Sequence, residues 1–158
     1  MKKLIVFVFS LMIFSSAFCQ NGHIKFMGIE VNGQTSTLEQ RLDTKGFSKT
    51  KGDMYKGKFS GYDVKLKVEK TVKSKTVYEI SVVFGPEVSK EDLQEMAISL
   101  KEKYAQDKYF ENTRDAEVYQ CGIETPEGMI VLDFDEKTLS YRDKANIKKN
   151  KLESRDDL

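Results

Sequence analysis

The stretch "KGKFSGYDVKLKVEK", residues 56–70, carries the clearest strand pattern in the chain. From Tyr62 onward apolar and polar residues alternate, with Tyr62, Val64, Leu66 and Val68 on one side and Asp63, Lys65, Lys67 and Glu69 on the other. Strict alternation is typical of an antiparallel strand that has one buried and one solvated face. Because Gly61 follows Ser60 at the centre of a tight turn, residues 54–59 and 62–69 are predicted to form a hairpin.

The hairpin belongs to a first unit that is predicted to contain one helix and three strands. A third strand over 76–84 ends at Gly85-Pro86. Upstream, "STLE" at 36–39 has the pattern of a capping box and predicts a short helix over about 37–45. Gly46 suits the position after the helix end, and Phe47 is expected to pack just beyond it.

A second unit of the same kind follows. Ser89 and Asp92 predict a capped helix over about 90–105, whose apolar residues recur at helical spacing. After a loop at 106–115, three more strands are expected at 116–124, 129–135 and roughly 138–143. Neither helix has enough apolar surface to fold alone, so the sequence predicts an α+β fold in which two helix-plus-three-strand antiparallel meander units share one core.

The segments outside these units are predicted to be a leader, a short arm and a tail. Residues 1–19 read as a signal peptide, 20–143 as a single α+β domain, and 144–158 as a charged C-terminal tail that is helical or frayed. The arm at 24–31, "IKFMGIEV", is a short strand or an extended segment. Its apolar residues are expected to join the core rather than to dock a partner.

The leader predicts export. Lys2 and Lys3 precede an apolar run over 4–14, and small residues at 15–17 lie before a cleavage site. This run is too short to span a bilayer, which takes about 20 apolar residues, and no other stretch is apolar enough. We therefore expect a protein of the periplasm or the outer membrane surface, with no transmembrane span in the mature chain.

Cys19 has three alternative fates. Cleavage after Cys19 removes it, cleavage after Ala17 retains it, and lipidation would anchor the protein through it, although Phe18 occupies the position where lipidation favours a small residue. Only retention allows a disulfide with Cys121, so Cys121 is otherwise expected to be a buried, unpaired thiol. The intact mass of the exported protein distinguishes a start at Gln20 from a lipid on Cys19.

Composition excludes several classes of function. The chain has 26 Lys and Arg against 25 Asp and Glu, and loss of Lys2 and Lys3 would leave a net charge of about −1. A near-neutral exported protein is not expected to bind nucleic acid. No glycine-rich loop leads from a strand into a helix, so no phosphate-binding cofactor is predicted.

Catalytic and metal-binding patterns are weak. The lone histidine, His23, lies in a segment expected to be mobile, and nothing in the spacing pairs it with Cys121 as a nucleophile. Asp133, Asp135 and Glu136 supply carboxylates beside a turn but lack the glycine pattern of a calcium loop, which favours a solvated face. We therefore expect no catalytic residues, no metal and no cofactor.

The first meander is markedly basic. Lys56, Lys58, Lys65 and Lys67 are the candidate residues of a face that attracts anions or a partner. Acidic polysaccharide, lipid headgroups and an acidic protein are the ligands such a face could take. Lysines on strands also deter aggregation, which requires no ligand.

Eight short strings resemble a family of small, uncharacterised secreted or lipid-anchored proteins of Gram-negative gut bacteria. They are "KFMGI" at 25–29, "NG" at 32–33, "KGF" at 45–47, "KGKFSGY" at 56–62, "LKEKY" at 100–104, "TPEGMIVL" at 125–132, "YRDK" at 141–144 and "DDL" at 156–158. The resemblance covers the predicted mature chain but implies no activity, since none is assigned to the family. The doubled helix-plus-meander plan also resembles the beta-lactamase-inhibitor-protein type of fold, in topology only.

These observations favour a secreted cell-envelope binding module that is not an enzyme. Its partner would be a protein or polysaccharide of the cell envelope. A structural envelope lipoprotein anchored through Cys19 is one alternative, and a hydrolase-type enzyme without a readable motif is another.

Overall fold

The computed structural model describes residues 22–155, which form three helices and ten strands. The elements in chain order are β1 Lys25–Phe26, β2 Ile29–Glu30, α1 Thr35–Asp43, β3 Ser48–Lys49, β4 Met54–Phe59, β5 Tyr62–Lys70, β6 Val77–Phe84, α2 Lys90–Lys103, β7 Lys108–Arg114, β8 Glu117–Glu124, β9 Gly128–Asp133, β10 Thr138–Asp143 and α3 Lys144–Arg155. The α+β fold predicted from the sequence is confirmed. The leader, including Cys19, and residues 156–158 lie outside the described residues.

Eight strands form one antiparallel sheet in the order β3-β4-β5-β6-β10-β9-β8-β7. In chain order each meander runs inward from an edge strand, β3 or β7, and the two meet at the centre, where β6 pairs with β10 and Ser81 lies opposite Ser140. Helices α1 and α2 are each followed by four strands, not the predicted three. The additional strands, β3 and β7, lie in segments that the sequence indicated as loops.

Both missed strands are the edges of the sheet, which explains the error. β3 has only two residues, both exposed. In β7 five of the seven residues are exposed, so apolar alternation is nearly absent. Such strands are defined by pairing with one neighbour rather than by burial of a face.

The inner face of the sheet forms the core. Pairing aligns Leu66, Val82, Leu139, Leu132 and Cys121 in one row across five strands, and all five are buried. The alternation that predicted β5 is confirmed, because Val64, Leu66 and Val68 are at most 4% exposed. Side chains of α1, α2 and the amino-terminal arm belong to the same hydrophobic cluster, so the two units share one core.

The second helix begins as its sequence predicts. The Asp92 amide donates to Ser89 Oγ at 3.1 Å, and the Ser89 amide donates to Asp92 Oδ2 at 2.8 Å. These hydrogen bonds satisfy two donors that a helix start leaves without partners. Leu93, Ala97 and Leu100 are buried along one side of α2.

The predicted capping box of the first helix is wrong. α1 begins at Thr35, so Ser36 lies inside the first turn, and the preceding Gln34 makes no side-chain cap. Gln34 instead forms a β-bridge with Thr76, and its Nε2 donates to the Ser74 carbonyl at 3.1 Å. Tertiary pairing therefore sets this helix start, whereas Gly46, with φ of 82°, follows the helix end as expected.

The arm "KFMGI" is a tight hairpin rather than an extended segment. Met27 and Gly28 have φ of 49° and 81°, the left-handed conformation of a type I′ turn, and β1 pairs with β2 across them. Phe26 is fully buried, with its ring centroid 5.3 Å from that of Tyr141. Met27 at the turn is 40% exposed.

The charged segment that follows β10 forms helix α3. Asn146 is its buried residue, and its Nδ2 donates to the carbonyls of Val31 and Val77 and to Asn32 Oδ1. α3 contacts β6, β9 and β10. Through Asn146, helix α3 therefore connects the end of the arm and the residue that follows it to the first residue of β6.

The carboxyl end of α3 is hydrogen-bonded to the loop between β5 and β6, and these hydrogen bonds should weaken in acid. Glu153 accepts a hydrogen bond from Ser74 Oγ and further ones from the amides of Ser74 and Lys73, and these bonds lower the Glu153 pKa from 4.5 to about 2. A carboxylate whose pKa is lower in the folded than in the unfolded protein stabilises the folded state at pH values above its unfolded pKa. This contribution is lost as the pH falls through the folded pKa. The stability gap between the native protein and Glu153→Gln should therefore close as pH falls from 4.5 to 2 in urea titrations. A gap that stays constant over this range would contradict the assignment.

Candidate functional site

The outer face of the sheet carries the lysines that the sequence singled out. Lys56, Lys58, Lys65 and Lys67 alternate with core residues on β4 and β5, and all four are exposed. Asp63 lies on the same face, opposite Lys58. Because α1 and α2 contribute their apolar side chains to the core on the inner face, this half of the outer face is open to solvent.

Three of the four lysines border one depression. Lys56, Lys58 and Lys65 line a groove with a volume of about 870 Å³ over the ends of β4, β5 and β6. Lys45, which follows α1, contributes a fourth ammonium group that the sequence pattern did not identify. We call this depression the lysine groove. Its charged lining comprises four lysines and one aspartate, Asp63, so it is strongly positive.

Two of these lysines face each other directly. Lys56 is the cross-strand partner of Lys65 in the β4–β5 ladder. Residues directly opposite in an antiparallel pair have Cβ atoms about 5 Å apart, and like charges at such positions destabilise the sheet. Within residues 22–155, no carboxylate lies at ion-pair distance from Lys45, Lys56 or Lys65.

The other two lysines have protein partners. Lys58 Nζ lies 3.0 Å from Asp63 Oδ1, in a pair whose side chains are 70% and 83% exposed. Lys67 Nζ lies 2.6 Å from Glu69 Oε1, and this hydrogen bond raises the pKa of Lys67. Lys67 does not line the groove. The structure therefore divides the predicted basic face into an unneutralised part and a neutralised one.

The rest of the outer face is occupied by internal contacts. Arg142 Nε donates to Glu79 Oε2 at 3.2 Å, and the hydroxyls of Ser81 and Ser140 lie 2.8 Å apart. The half-buried ring of Phe110 lies over Gly122. The excess positive charge on the outer face of the sheet therefore comes from the lysines of β4 and β5.

His23 is held in place, which corrects the expectation of a mobile residue. Its Nδ1 lies 2.9 Å from Oδ2 of Asp143, whose side chain is fully buried. The Ile24 amide approaches the same oxygen at 3.4 Å, and Asp143 Oδ1 accepts from the Asn146 amide at 2.8 Å. This carboxylate therefore fastens the arm and α3 to the end of β10, a structural role that sequence reasoning missed.

Cys121 is a buried thiol on the inner face of β8, as the sequence predicts. It is 1% exposed and has no disulfide within the described part of the chain. Burial raises its pKa, so the unreactive protonated form is favoured. The neighbouring Tyr109 hydroxyl donates a hydrogen bond to Glu111 Oε1 at 2.6 Å, and burial raises the pKa of Tyr109.

The carboxylates at the β9–β10 turn contact protein groups. Asp133 Oδ1 accepts from the Glu136 amide at 2.8 Å, and Asp135 lies 3.6 Å from Arg114. In the part of the chain that the structure describes, no three His, Cys, Asp or Glu residues converge as metal ligands. No helix in residues 22–155 is both long and apolar enough to cross a membrane.

No family model matches the chain, and no curated protein or solved structure matches it.

Proposed function

We propose that this protein is a secreted cell-envelope module that binds an anionic partner without catalysis, through the lysine groove. The observation that carries the proposal is the direct opposition of Lys56 and Lys65, with no carboxylate among residues 22–155 at ion-pair distance from either. An anion placed between the two ammonium groups would convert repulsion into attraction on both sides. The partner would be a protein or a polysaccharide of the cell envelope.

Two features of the described residues support a non-catalytic role. His23 is engaged by the buried Asp143 carboxylate, and that contact joins the arm to α3. Cys121 is enclosed among apolar side chains and favours its protonated form. A nucleophile requires an accessible, activated group close to a base, and neither residue meets that requirement.

Export is the part of the proposal that rests on the leader alone. The basic start, the short apolar run and the small residues at 15–17 support a signal peptide. The near-neutral charge of the remainder is compatible with a protein whose positive charge is concentrated at one site.

The proposal predicts that capture of envelope material depends on the groove. With purified protein and solubilised Gram-negative envelope, the double variant Lys56→Gln/Lys65→Gln should retain less than about a tenth of the bound material, because two charged contacts each contribute severalfold. The readout is the mass of retained material per protein chain.

The matched control is Lys148→Gln/Lys151→Gln on α3, which removes the same charge from exposed positions outside the groove. This variant should retain nearly all of the material. Equal losses in both double variants would show nonspecific charge attraction and would contradict the proposal.

A further inference from the structure

The lysine groove combines lysine side chains with a small accessible apolar surface. Its accessible apolar lining comes from Val83 and Pro86, whereas Val64 and Phe84 also border the groove but are only 4% and 5% exposed because their side chains belong to the core. Ser48 and three glycines supply hydroxyl and backbone polar groups at the rim. Its volume falls within the range of small-ligand pockets, about 300–1,000 Å³, which is sufficient for one or two sugar rings.

A peptide partner fits this lining poorly. Energetically dominant residues at protein interfaces are enriched in Trp, Tyr and Arg, and the groove lining contains none of these. Its one aromatic residue, Phe84, is 5% exposed.

A membrane surface also fits poorly. Binding to anionic lipid is strengthened by exposed apolar side chains that enter the headgroup layer. The large exposed apolar residues of the described chain are Met27, Val72, Ile98, Met129 and Leu152, and none lines the groove.

We propose that the lysine groove binds an acidic polysaccharide, one of whose carboxylate or sulfate groups lies between Lys56 and Lys65 while the next approaches Lys45. Lysine ammonium groups act as compact point charges on flexible stems, so they accept anions whose orientation varies along a chain. The sugar faces pack on Val83 and Pro86, and hydroxyls reach Ser48 and the backbone. This inference rests on the proposed function and specifies its ligand class.

Binding of defined polymers tests the inference by calorimetry. The probes are oligogalacturonate for carboxylate, dextran sulfate for sulfate, neutral dextran as the uncharged control, and polyglutamate and anionic phospholipid vesicles as the peptide and membrane arms. We expect oligogalacturonate or dextran sulfate to bind and neutral dextran not to bind. Binding should weaken severalfold between about 0.01 M and 0.15 M salt, where the screening length falls from about 30 Å to about 8 Å.

The decisive comparison is Lys65→Gln against Lys67→Gln. The two residues lie on the same face of β5, two positions apart, but only Lys65 lines the groove and only Lys67 has a carboxylate partner. Lys65→Gln should weaken polysaccharide binding about tenfold and Lys67→Gln less than about twofold. Both residues are exposed, so unchanged thermal midpoints will show that the fold is intact.

Three outcomes would overturn the inference: equal weakening by the two variants, tighter binding to polyglutamate or vesicles than to the polysaccharides, or no binding to either acidic polysaccharide. Envelope capture separates this failure from that of the proposed function. Capture that still depends on Lys56 and Lys65 would leave the binding module in place with another ligand, whereas capture independent of them would reject both.

Discussion

Replacing Asp143 with alanine is expected to lower the free energy of unfolding by about 3 kcal/mol, because it leaves the His23 ring nitrogen and two buried backbone amides without their hydrogen-bond acceptor. The Asp143 side chain is fully buried and accepts from His23 Nδ1, the Ile24 amide and the Asn146 amide. These three donors belong to the arm and to α3, so a single carboxylate joins both to β10. Urea denaturation followed by circular dichroism measures the loss.

The control is Asp63→Ala, which breaks the Lys58–Asp63 pair. Both side chains of that pair are mostly exposed, so the expected change is within about 0.5 kcal/mol. A double-mutant cycle of Asp143→Ala with His23→Ala should show a coupling energy of at least about 1 kcal/mol. Independent, additive effects of the two substitutions would contradict the assigned contact.

The parts of the fold that the sequence predicts are those whose causes are local. The Ser89–Asp92 capping box and the alternation of β5 each depend on residues that are neighbours in the chain, and both are confirmed. The His23–Asp143 contact joins residues 120 positions apart, and no local pattern indicates it. The start of α1 likewise depends on a bridge from Gln34 to Thr76.

The candidate site shows the same division. Alternation alone identifies Lys56, Lys58, Lys65 and Lys67 as one face, because strand periodicity determines which way each side chain points. It cannot show that Glu69 neutralises Lys67, since that requires the geometry of the two side chains. Nor can it place Lys45, which reaches the groove from outside the strands through the fold of the α1–β3 connection.

Replacing Gly122 with alanine should lower the free energy of unfolding by about 3 kcal/mol, because the added methyl group has no space. That group would overlap the carbonyl oxygen of Ile130 and lie 2.8 Å from the ring of Phe110. Ile130 belongs to the adjacent strand β9, so relief of the overlap requires movement of the β8–β9 ladder. The thermal midpoint should fall by roughly 10 °C.

Gly85→Ala is the matched control for this substitution, because it too creates an overlap, but with the carboxylate of Glu87. Glu87 is exposed and can rotate away, so we expect a change within about 0.5 kcal/mol. The two variants differ in whether the obstructing atom is fixed backbone or a mobile side chain. If they destabilise equally, the loss would reflect glycine replacement in general rather than the close approach of β8 and β9. If only Gly122→Ala destabilises, hydrogen exchange should quicken first in β7 and β8, since β9 is the neighbour that joins these two strands to the rest of the sheet.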